Sequence, residues 1–215
     1  MSLVRVHNFA ISLDGYGTGE GQDADAHFGH AEDRLHQWMF ATQWWQPSGS
    51  RGVDDAFVQR HDRGIGAEIM GAGKFGHPGW HEDPDWKGAW GPNPPFHTPV
   101  FVLTHHTRPP IQMEGNTTFH FLDASPAEAV EKAREAAGGQ DIRVGGGPTV
   151  IREFLAAGLV DYLHVAVVPI LLGRGVPLWG GELEGLEQDY QVEATSAPSG
   201  VTHVTFTRVR TAGRL

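Results

Sequence analysis

Three consecutive glycines, Gly145 to Gly147, follow a short β-type run and precede Pro148. The apolar residues from Val150 to Leu159 then recur with the period of a helix face, and proline is well suited to a first helical position. The segment therefore predicts a strand, a glycine turn and a helix. A backbone without side chains lets a ligand approach closely, and free N–H groups at a helix N-terminus favour an anion such as phosphate. A tight turn with a structural role only is the alternative, and the spacing does not decide between the two.

A carboxylate can in general transfer a proton or anchor a substrate, and two aspartates of this chain lie beside predicted elements. Asp14 lies in a glycine-rich turn after the first predicted strand, and Asp33 lies near the start of a predicted helix. Each position has a structural alternative. An aspartate in a turn bonds its own backbone, and an acid in a first helical turn complements the helix dipole. From the residues alone, these structural roles are the simpler interpretation.

The segment from 76 to 99 carries Trp80, Trp86 and Trp90 among prolines and glycines, with neither a helical nor a strand period. A loop of this length in a compact domain is usually functional or disordered, and the tryptophans argue against simple disorder. One interpretation is a lid whose indoles stack on a flat substrate ring. The other is a loop that the indoles pin to its own domain or to a dimer mate. Both remain open.

The composition limits the classes of function. The 215 residues suit one domain with a sizeable core, and 26 acidic side chains against 16 lysines and arginines argue against a general binder of nucleic acid or anionic membranes. The chain has no cysteine, which excludes disulfides and thiolate zinc sites. His77 and His81 have a metal-like spacing, but a proline and a glycine between them exclude a helix, so no metal site is expected. A polar N-terminus and the lack of a bilayer-spanning apolar run predict a cytoplasmic protein.

The apolar pattern predicts an α/β domain over residues 1–215. Strands are expected at 3–12, 65–70, 100–104, 118–122, 142–144, 162–168, 190–194 and 201–209. Helices are expected at 31–42 and 53–63, after the capping box Ser125 to Glu128, and from Pro148. Alternating strands and helices followed by a terminal hairpin indicate a three-layer α/β/α fold with a mixed sheet.

Three segments resemble the dihydrofolate reductase-like superfamily. The longest is VGGGPTVIREFLAAGLVDYLHVAVVPILLGRGVPLW, at 144–179, and the others are SLDG at 12–15 and IMGAGKFG at 69–76. The chain is most similar to the reductase domain of the bifunctional riboflavin-biosynthesis deaminase-reductase and its stand-alone relatives. The zinc site of the deaminase half needs a Cys-x-x-Cys pair, so this cysteine-free chain is expected to be a stand-alone reductase domain.

The resemblance implies an NADPH site. The glycine turn and the helix start would hold the pyrophosphate through Gly145, Gly146, Gly147, Pro148, Thr149 and Val150. The adenosine ribose and its phosphate would lie among Gly71, Lys74, Thr104 and His105, and the nicotinamide would lie along Ala10 and Ile11. Ala72 stands where the family has an arginine for the 2′-phosphate, which leaves Lys74, a point charge without arginine's planar fork. With the resemblance, Asp14 becomes the first candidate for a proton relay or substrate anchor, with Asp33 behind it.

These expectations together describe an NADPH-dependent reductase that transfers a hydride to a small heterocyclic or conjugated compound, such as a pterin or a ribosylaminopyrimidine. A nucleotide-, flavin- or pterin-binding protein of the same fold without turnover is the alternative. The resemblance also implies a homodimer. Neither a nucleic-acid partner nor a membrane partner is expected.

Overall fold

The computed structural model describes residues 2–209, which fold around a mixed β-sheet; Met1 and residues 210–215 of the predicted domain lie outside this range. The strands are β1 (Val4–Ser12), β2 (Tyr16–Thr18), β3 (Ile65–Gly71), β4 (Pro99–Leu103), β5 (Ile111–Gln112), β6 (Thr118–Leu122), β7 (Asp141–Val144), β8 (Tyr162–Val168), β9 (Val176–Pro177), β10 (Tyr190–Ser196) and β11 (Thr202–Arg208). The α-helices are α1 (Gln37–Phe40), α2 (Val53–Val58), α3 (Ala72–Phe75), α4 (Pro126–Ala136) and α5 (Pro148–Ala156).

The main sheet has the strand order β10-β11-β8-β1-β7-β3-β4-β6-β5, and β2 pairs separately with β9. The central strands from β8 to β6 are parallel, whereas β11, β10 and β5 are antiparallel strands at the two edges. The hairpin of β10 and β11 pairs from Tyr190 opposite Arg208 to Ser196 opposite Thr202. The predicted α/β fold with a mixed sheet and a C-terminal hairpin is therefore confirmed.

Helices cover both faces of the sheet. On one face, α4 and α5 bury Val130, Ile151 and Phe154 against the central strands. On the other face, Trp38 of α1 and Val58 of α2 pack near β1 and β8. Each large apolar side chain that is fully buried contributes roughly 1.5–3 kcal/mol. This packing fixes the parallel strands side by side, so that their carboxyl ends meet along one edge.

The helix predicted from Ala31 to Thr42 is wrong in its extent. A 3₁₀ helix spans Gly29–Leu35, and the α-helix that follows covers only Gln37–Phe40. Glu32 has a positive φ of 48°, in the left-handed region, and this interrupts a regular right-handed helix. The helix predicted at 53–63 is also too long, because α2 ends at Val58. Within the described part of the chain, no helix is long and apolar enough to cross a bilayer.

The loop at 76–99 packs on its own domain. Trp80 is only 4% exposed, and its ring centroid lies 4.9 Å from that of Phe75. The indole N–H of Trp86 donates a hydrogen bond to the carbonyl of Phe75 at 3.2 Å, and Trp90 lies edge-on to Phe96 at 4.8 Å. These contacts favour the interpretation of a loop that its tryptophans pin to the domain.

Candidate active site

A cleft of about 1070 Å³ follows the carboxyl edge of the parallel strands, where open α/β sheets generally bind ligands. The glycine turn after β7 lies at its centre, because β7 pairs with β1 on one side and with β3 on the other. We call the side formed by 103–106 and 122–124, after β4 and β6, the strand-end half. We call the side formed by His7 to Ala10 of β1 together with His36, Phe40, Trp44, Trp45 and His61 the aromatic half.

Backbone hydrogen bonds hold the glycine turn against β3. The N–H of Gly145 donates to the carbonyl of Ile69, and the N–H of Gly71 donates to the carbonyl of Gly146, both at 2.8 Å. Gly146 has a φ of +117°, which side-chain-bearing residues rarely adopt, and the peptide bond between Gly146 and Gly147 is cis. A Cβ atom added to Gly147 would meet no protein atom within 4 Å, so this position opens onto the cleft.

The turn leads directly into α5, with Gly147 at the N-cap and Pro148 at the first turn. No side chain caps this helix, and its first N–H groups have no acceptor within the helix. The helix dipole adds a partial positive charge at the same place. The turn and the helix start therefore form a cradle for an anion such as phosphate.

Lys74 adds a positive charge next to this cradle. Its Nζ donates a hydrogen bond to the carbonyl of Gly145 at 2.8 Å. Burial lowers the pKa of Lys74 to about 8, although the carboxylate of Glu68 partly opposes this shift. Glu68 in turn forms a buried ion pair with Arg143, beneath the turn. At neutral pH Lys74 is thus largely charged, and it titrates within an accessible range of pH.

Half-exposed tryptophans shape the aromatic half. Trp44 and Trp45 are 40% and 48% exposed and lie edge to face with ring centroids 5.1 Å apart. Phe40 packs edge-on against Trp45 at 5.1 Å, and His61 packs edge-on against Trp44 at 4.9 Å. The backbone N–H of Trp44 donates to the carboxylate of Asp55 at 3.0 Å, which ties this wall to α2. Indole faces on a concave surface suit a flat ring.

The histidines of this half are neutral hydrogen-bonding groups. Burial lowers the pKa of His7 to about 3 and that of His36 to about 4, and it also lowers the pKa of His61. Nε2 of His7 accepts a hydrogen bond from Nε of Arg5 at 2.9 Å, so the proton of this neutral imidazole is on Nδ1. A ligand in the aromatic half therefore meets uncharged imidazoles at neutral pH.

Most of the predicted binding residues lie on the cleft wall, and three of the predicted site residues do not. The wall includes Ala10, Gly71, Lys74, Thr104, His105, Gly145, Gly146, Gly147, Pro148, Thr149 and Val150, whose roles stay predictions. Ile11 is 3% exposed and packs in the hydrophobic core, since neighbouring strand residues point to opposite faces. Asp14 and Asp33 are exposed and lie outside the cleft wall.

The contacts of Asp14 indicate a structural role. Its carboxylate accepts hydrogen bonds from the backbone N–H groups of Leu172 at 3.1 Å and Gly173 at 2.7 Å. The hydroxyl of Ser12, followed by these backbone groups, lowers the pKa of Asp14 to about 2. The side chain connects the turn after β1 with the loop after β8, so its geometry gives no support to the predicted contact with the substrate.

Several cleft residues were missed by sequence reasoning, namely His7, Asn8, His36, Trp44, Trp45, His61 and Arg143. One signal was available. In β1 every second residue is apolar at Val4 and Val6 and again at Phe9 and Ile11. Two residues, His7 and Asn8, separate the two pairs where a regular alternation would have one. An interrupted period of this kind indicates a β-bulge, and bulges often re-aim side chains next to active sites.

The sequence model of the RibD C-terminal domain matches residues 5–211 of the chain. The chain belongs to this family. No sequence among curated proteins matches it. The family assignment confirms the resemblance inferred from the glycine-rich segment, and it covers the whole cleft.

Solved structures with the same fold include the following three proteins. A structure described as a riboflavin biosynthesis protein, from Shewanella sp. PV-4, is 23% identical with a TM-score of 0.61, and the match covers 98% of this chain and all of that one. A diaminohydroxyphosphoribosylaminopyrimidine deaminase/5-amino-6-(5-phosphoribosylamino)uracil reductase from Thermotoga maritima is 14% identical (TM-score 0.52), with 97% of this chain matching 57% of that one. Dihydrofolate reductase from Enterococcus faecalis, complexed with NADP(H), is 13% identical (TM-score 0.50), with 96% of each chain covered.

Proposed function

We propose that the protein reduces a small planar heterocycle, of the pterin or ribosylaminopyrimidine type, with NADPH as the reductant. Its class as an NADPH-dependent reductase follows from the family and from the dihydrofolate reductase-like fold, whereas the substrate is our proposal. One observation carries it: a single cleft joins an anion cradle to an aromatic half. NADPH supplies the hydride when bound, and the protein supplies position and electrostatics.

The residues present fit the cofactor. The glycine turn and the N-terminus of α5 are suited to its pyrophosphate, with Lys74 as an additional cation. Thr104 and His105 line the strand-end half, where we place the adenosine, and Ala10 lines β1, where we place the nicotinamide. Asp14 and Asp33 have no part in this proposal, because neither carboxylate is on the cleft wall.

The aromatic half would hold the substrate beside the nicotinamide. Trp44 and Trp45 offer indole faces for stacking, and the neutral imidazoles of His7 and His36 offer hydrogen bonds without adding charge. The homodimer and the cytoplasmic location implied by the resemblance are likewise proposals.

A titration and a turnover assay test this function. Purified protein is titrated with NADPH and with NADH, following tryptophan fluorescence and calorimetric heat, and the loss of NADPH absorbance is then followed with 7,8-dihydrobiopterin and with 5-amino-6-(ribosylamino)uracil. Micromolar NADPH binding with turnover of either compound supports a reductase. Tight NADPH binding without turnover of either supports the alternative, a binding protein without turnover. Failure to bind either nucleotide would remove the basis for the reductase and for a nucleotide-binding protein, and would leave only a flavin- or pterin-binding protein.

We expect NADPH affinity to fall as the pH rises from 7 to 9. Because burial lowers the pKa of Lys74 to about 8, its ammonium loses its proton in this range and no longer attracts the pyrophosphate. If only the charged form binds, the dissociation constant rises about tenfold, as the charged fraction falls. Calorimetric titration at pH 7, 8 and 9 measures this change.

Two variants serve as controls for the titration of Lys74. Lys74→Arg keeps the positive charge throughout this range, since arginine is always protonated, and we expect a pH-independent affinity. Lys74→Met removes the charge, so its affinity should be weak at all three pH values. A wild-type affinity that is equal at pH 7 and pH 9 would contradict the role of Lys74.

A further inference from the structure

A β-bulge brings two polar residues of β1 onto the cleft wall. Val6 pairs with Leu163 and Phe9 with Val165, so His7 and Asn8 together lie opposite the single residue between these partners on β8. Asn8 has a φ of 54°, in the left-handed region that few non-glycine residues adopt. Uncommon backbone conformations of this kind cluster at functional sites, and this one lies where β1 meets the cleft.

A chain of buried side chains holds this bulge. The backbone N–H of Asn8 donates to Nδ1 of His164 at 3.1 Å. Nε2 of His164 lies 2.9 Å from Nδ1 of His203, and Nε2 of His203 lies 2.7 Å from Oδ1 of Asp54 on α2. A backbone N–H can only donate, so neutral His164 carries its proton on Nε2 and donates it to His203, which in turn donates to Asp54. We call Asp54, His203 and His164 the relay.

The relay is rigid and its imidazoles are neutral. His164 and His203 are 0% and 1% exposed, and burial, the largest cause, lowers the pKa of both. The ring of Phe57, also on α2, stacks on both imidazoles with centroid distances of 4.2 and 4.4 Å. The same helix carries Asp55, which binds the backbone of Trp44. Helix α2 therefore positions both the bulge and the tryptophan wall of the aromatic half.

Asn8, whose backbone N–H the relay binds, carries an acceptor on its side chain that has no hydrogen-bond partner in the described part of the chain. Oδ1 of Asn8 is buried and has no hydrogen-bond partner among the described residues, although Asn8 lies on the cleft wall. A buried acceptor without a partner destabilises the folded protein, and native structures retain few such atoms. A ligand that donates an N–H to this oxygen would remove the cost.

We propose that Asn8 is a specificity residue whose carboxamide accepts an N–H from the amide edge of a ring bound in the cleft, with the relay holding it in position. This inference rests on the proposed function, because it concerns the same cleft. An amide edge with an N–H occurs in two ligands, the carboxamide of the nicotinamide and the ring lactam of a pterin or pyrimidine. Both present the same donor chemistry, and they are distinguished by experiment.

Two matched pairs of ligands test the role of Asn8. In the first pair, NADP⁺ is compared with its 3-acetylpyridine analogue, in which a methyl group replaces the amide nitrogen. In the second, measured with NADP⁺ present, lumazine is compared with 3-methyllumazine, whose methyl group blocks the lactam N–H. We expect the wild type to prefer the N–H form about tenfold in one pair, and that pair identifies the donor.

Asn8→Gly removes the side chain while keeping the backbone N–H, and glycine adopts the positive φ without strain. We expect its preference for the N–H form to fall to within about threefold of equal binding. Asn116→Gly is the matched control, since Asn116 also has a positive φ, of 68°, and is not on the cleft wall. No preference in either pair, or a preference that Asn8→Gly retains, overturns the inference. A wild type that binds neither NADP⁺ nor NADPH would instead contradict the proposed function.

Substitutions of Asp54 test the relay. The relay needs only an acceptor at its end, so Asp54→Asn should retain the preference for the N–H ligand, whereas Asp54→Ala should reduce it toward that of Asn8→Gly. Affinity for adenosine 2′,5′-bisphosphate, a probe of the strand-end half, should stay within about twofold in both variants. An Asp54→Ala variant with full preference overturns the positioning role. Nitrogen NMR of the wild type is an independent measurement, since a proton on Nδ1 of His203 would also overturn it.

Discussion

Replacing Gly147 with aspartate is expected to lower NADPH affinity at least about 100-fold, or ~2.7 kcal/mol, without destabilising the fold. The backbone of Gly147 has φ −76° and ψ −169°, which any residue adopts, and an added Cβ meets no protein atom within 4 Å. At the N-cap of α5 an aspartate accepts a hydrogen bond from the first turn, which is worth a few tenths of a kcal/mol relative to glycine. In the cleft its charge faces the site that we propose for the pyrophosphate, and two like charges at 4 Å repel by about 4 kcal/mol at an effective dielectric constant of 20.

Gly147→Asp is expected to weaken NADPH binding while it slightly stabilises the fold. The experiment therefore distinguishes a binding defect from a folding defect. Calorimetric titration measures NADPH affinity, and thermal unfolding followed by circular dichroism measures stability. Gly147→Asn has nearly the same shape without the charge, so its affinity should fall less than tenfold. Gly181→Asp places the same charge where an added Cβ also meets no protein atom but away from the cleft wall, and should bind NADPH as the wild type does. A Gly147→Asp variant with wild-type affinity would show that the glycine turn binds no phosphate.

The elements that the sequence predicted well are those with strong local signals. Strand β8 was predicted with the bounds Tyr162–Val168, because a nearly continuous apolar run indicates a buried central strand. Helix α4 begins at Pro126, where the reciprocal hydrogen bonds of Ser125 and Glu128 form the predicted capping box. The helix predicted at 31–42 failed because its apolar spacing reports which residues are buried, and a 3₁₀ helix followed by a short α-helix buries Leu35 and Trp38 equally well.

The residues of the candidate site likewise fall into those with a local sequence signal and those without one. The glycine turn and the start of α5 are contiguous in sequence, so the pattern of three glycines and a proline predicts the turn itself, with an anion site as one of its two interpretations. The relay joins residues that are 149 and 39 positions apart, and no local pattern connects Asp54 with His203 or His203 with His164. Asp14 has a sequence signal, but its contacts could not be predicted from it. The family motif singled it out, but only the positions of Leu172 and Gly173 reveal what its carboxylate binds.

The ion pair beneath the glycine turn gives the largest expected effect on stability. Glu68 and Arg143 are 2% and 9% exposed in their side chains, and Lys74 is close enough for Glu68 to raise its pKa. We expect Glu68→Gln to lower the free energy of unfolding by about 3–5 kcal/mol, because a partner removed from a buried pair leaves an uncompensated charge. Urea unfolding, with the midpoint and slope fitted together, measures the change.

Removing both charges separates the cost of an unpaired ion from the value of the pair. The double variant Glu68→Gln with Arg143→Met should lose less stability than Glu68→Gln alone, since no guanidinium is then left without its counter-ion. Glu131→Gln is the matched control, because Glu131 and Arg134 form an exposed pair with side chains that are 69% and 36% exposed, respectively. This substitution should change the free energy of unfolding by less than about 1 kcal/mol. Glu68→Gln should also lower the pKa of Lys74 further, so that NADPH affinity declines at a lower pH than in the wild type. A Glu68→Gln variant as stable as Glu131→Gln would contradict a structural role for the buried pair.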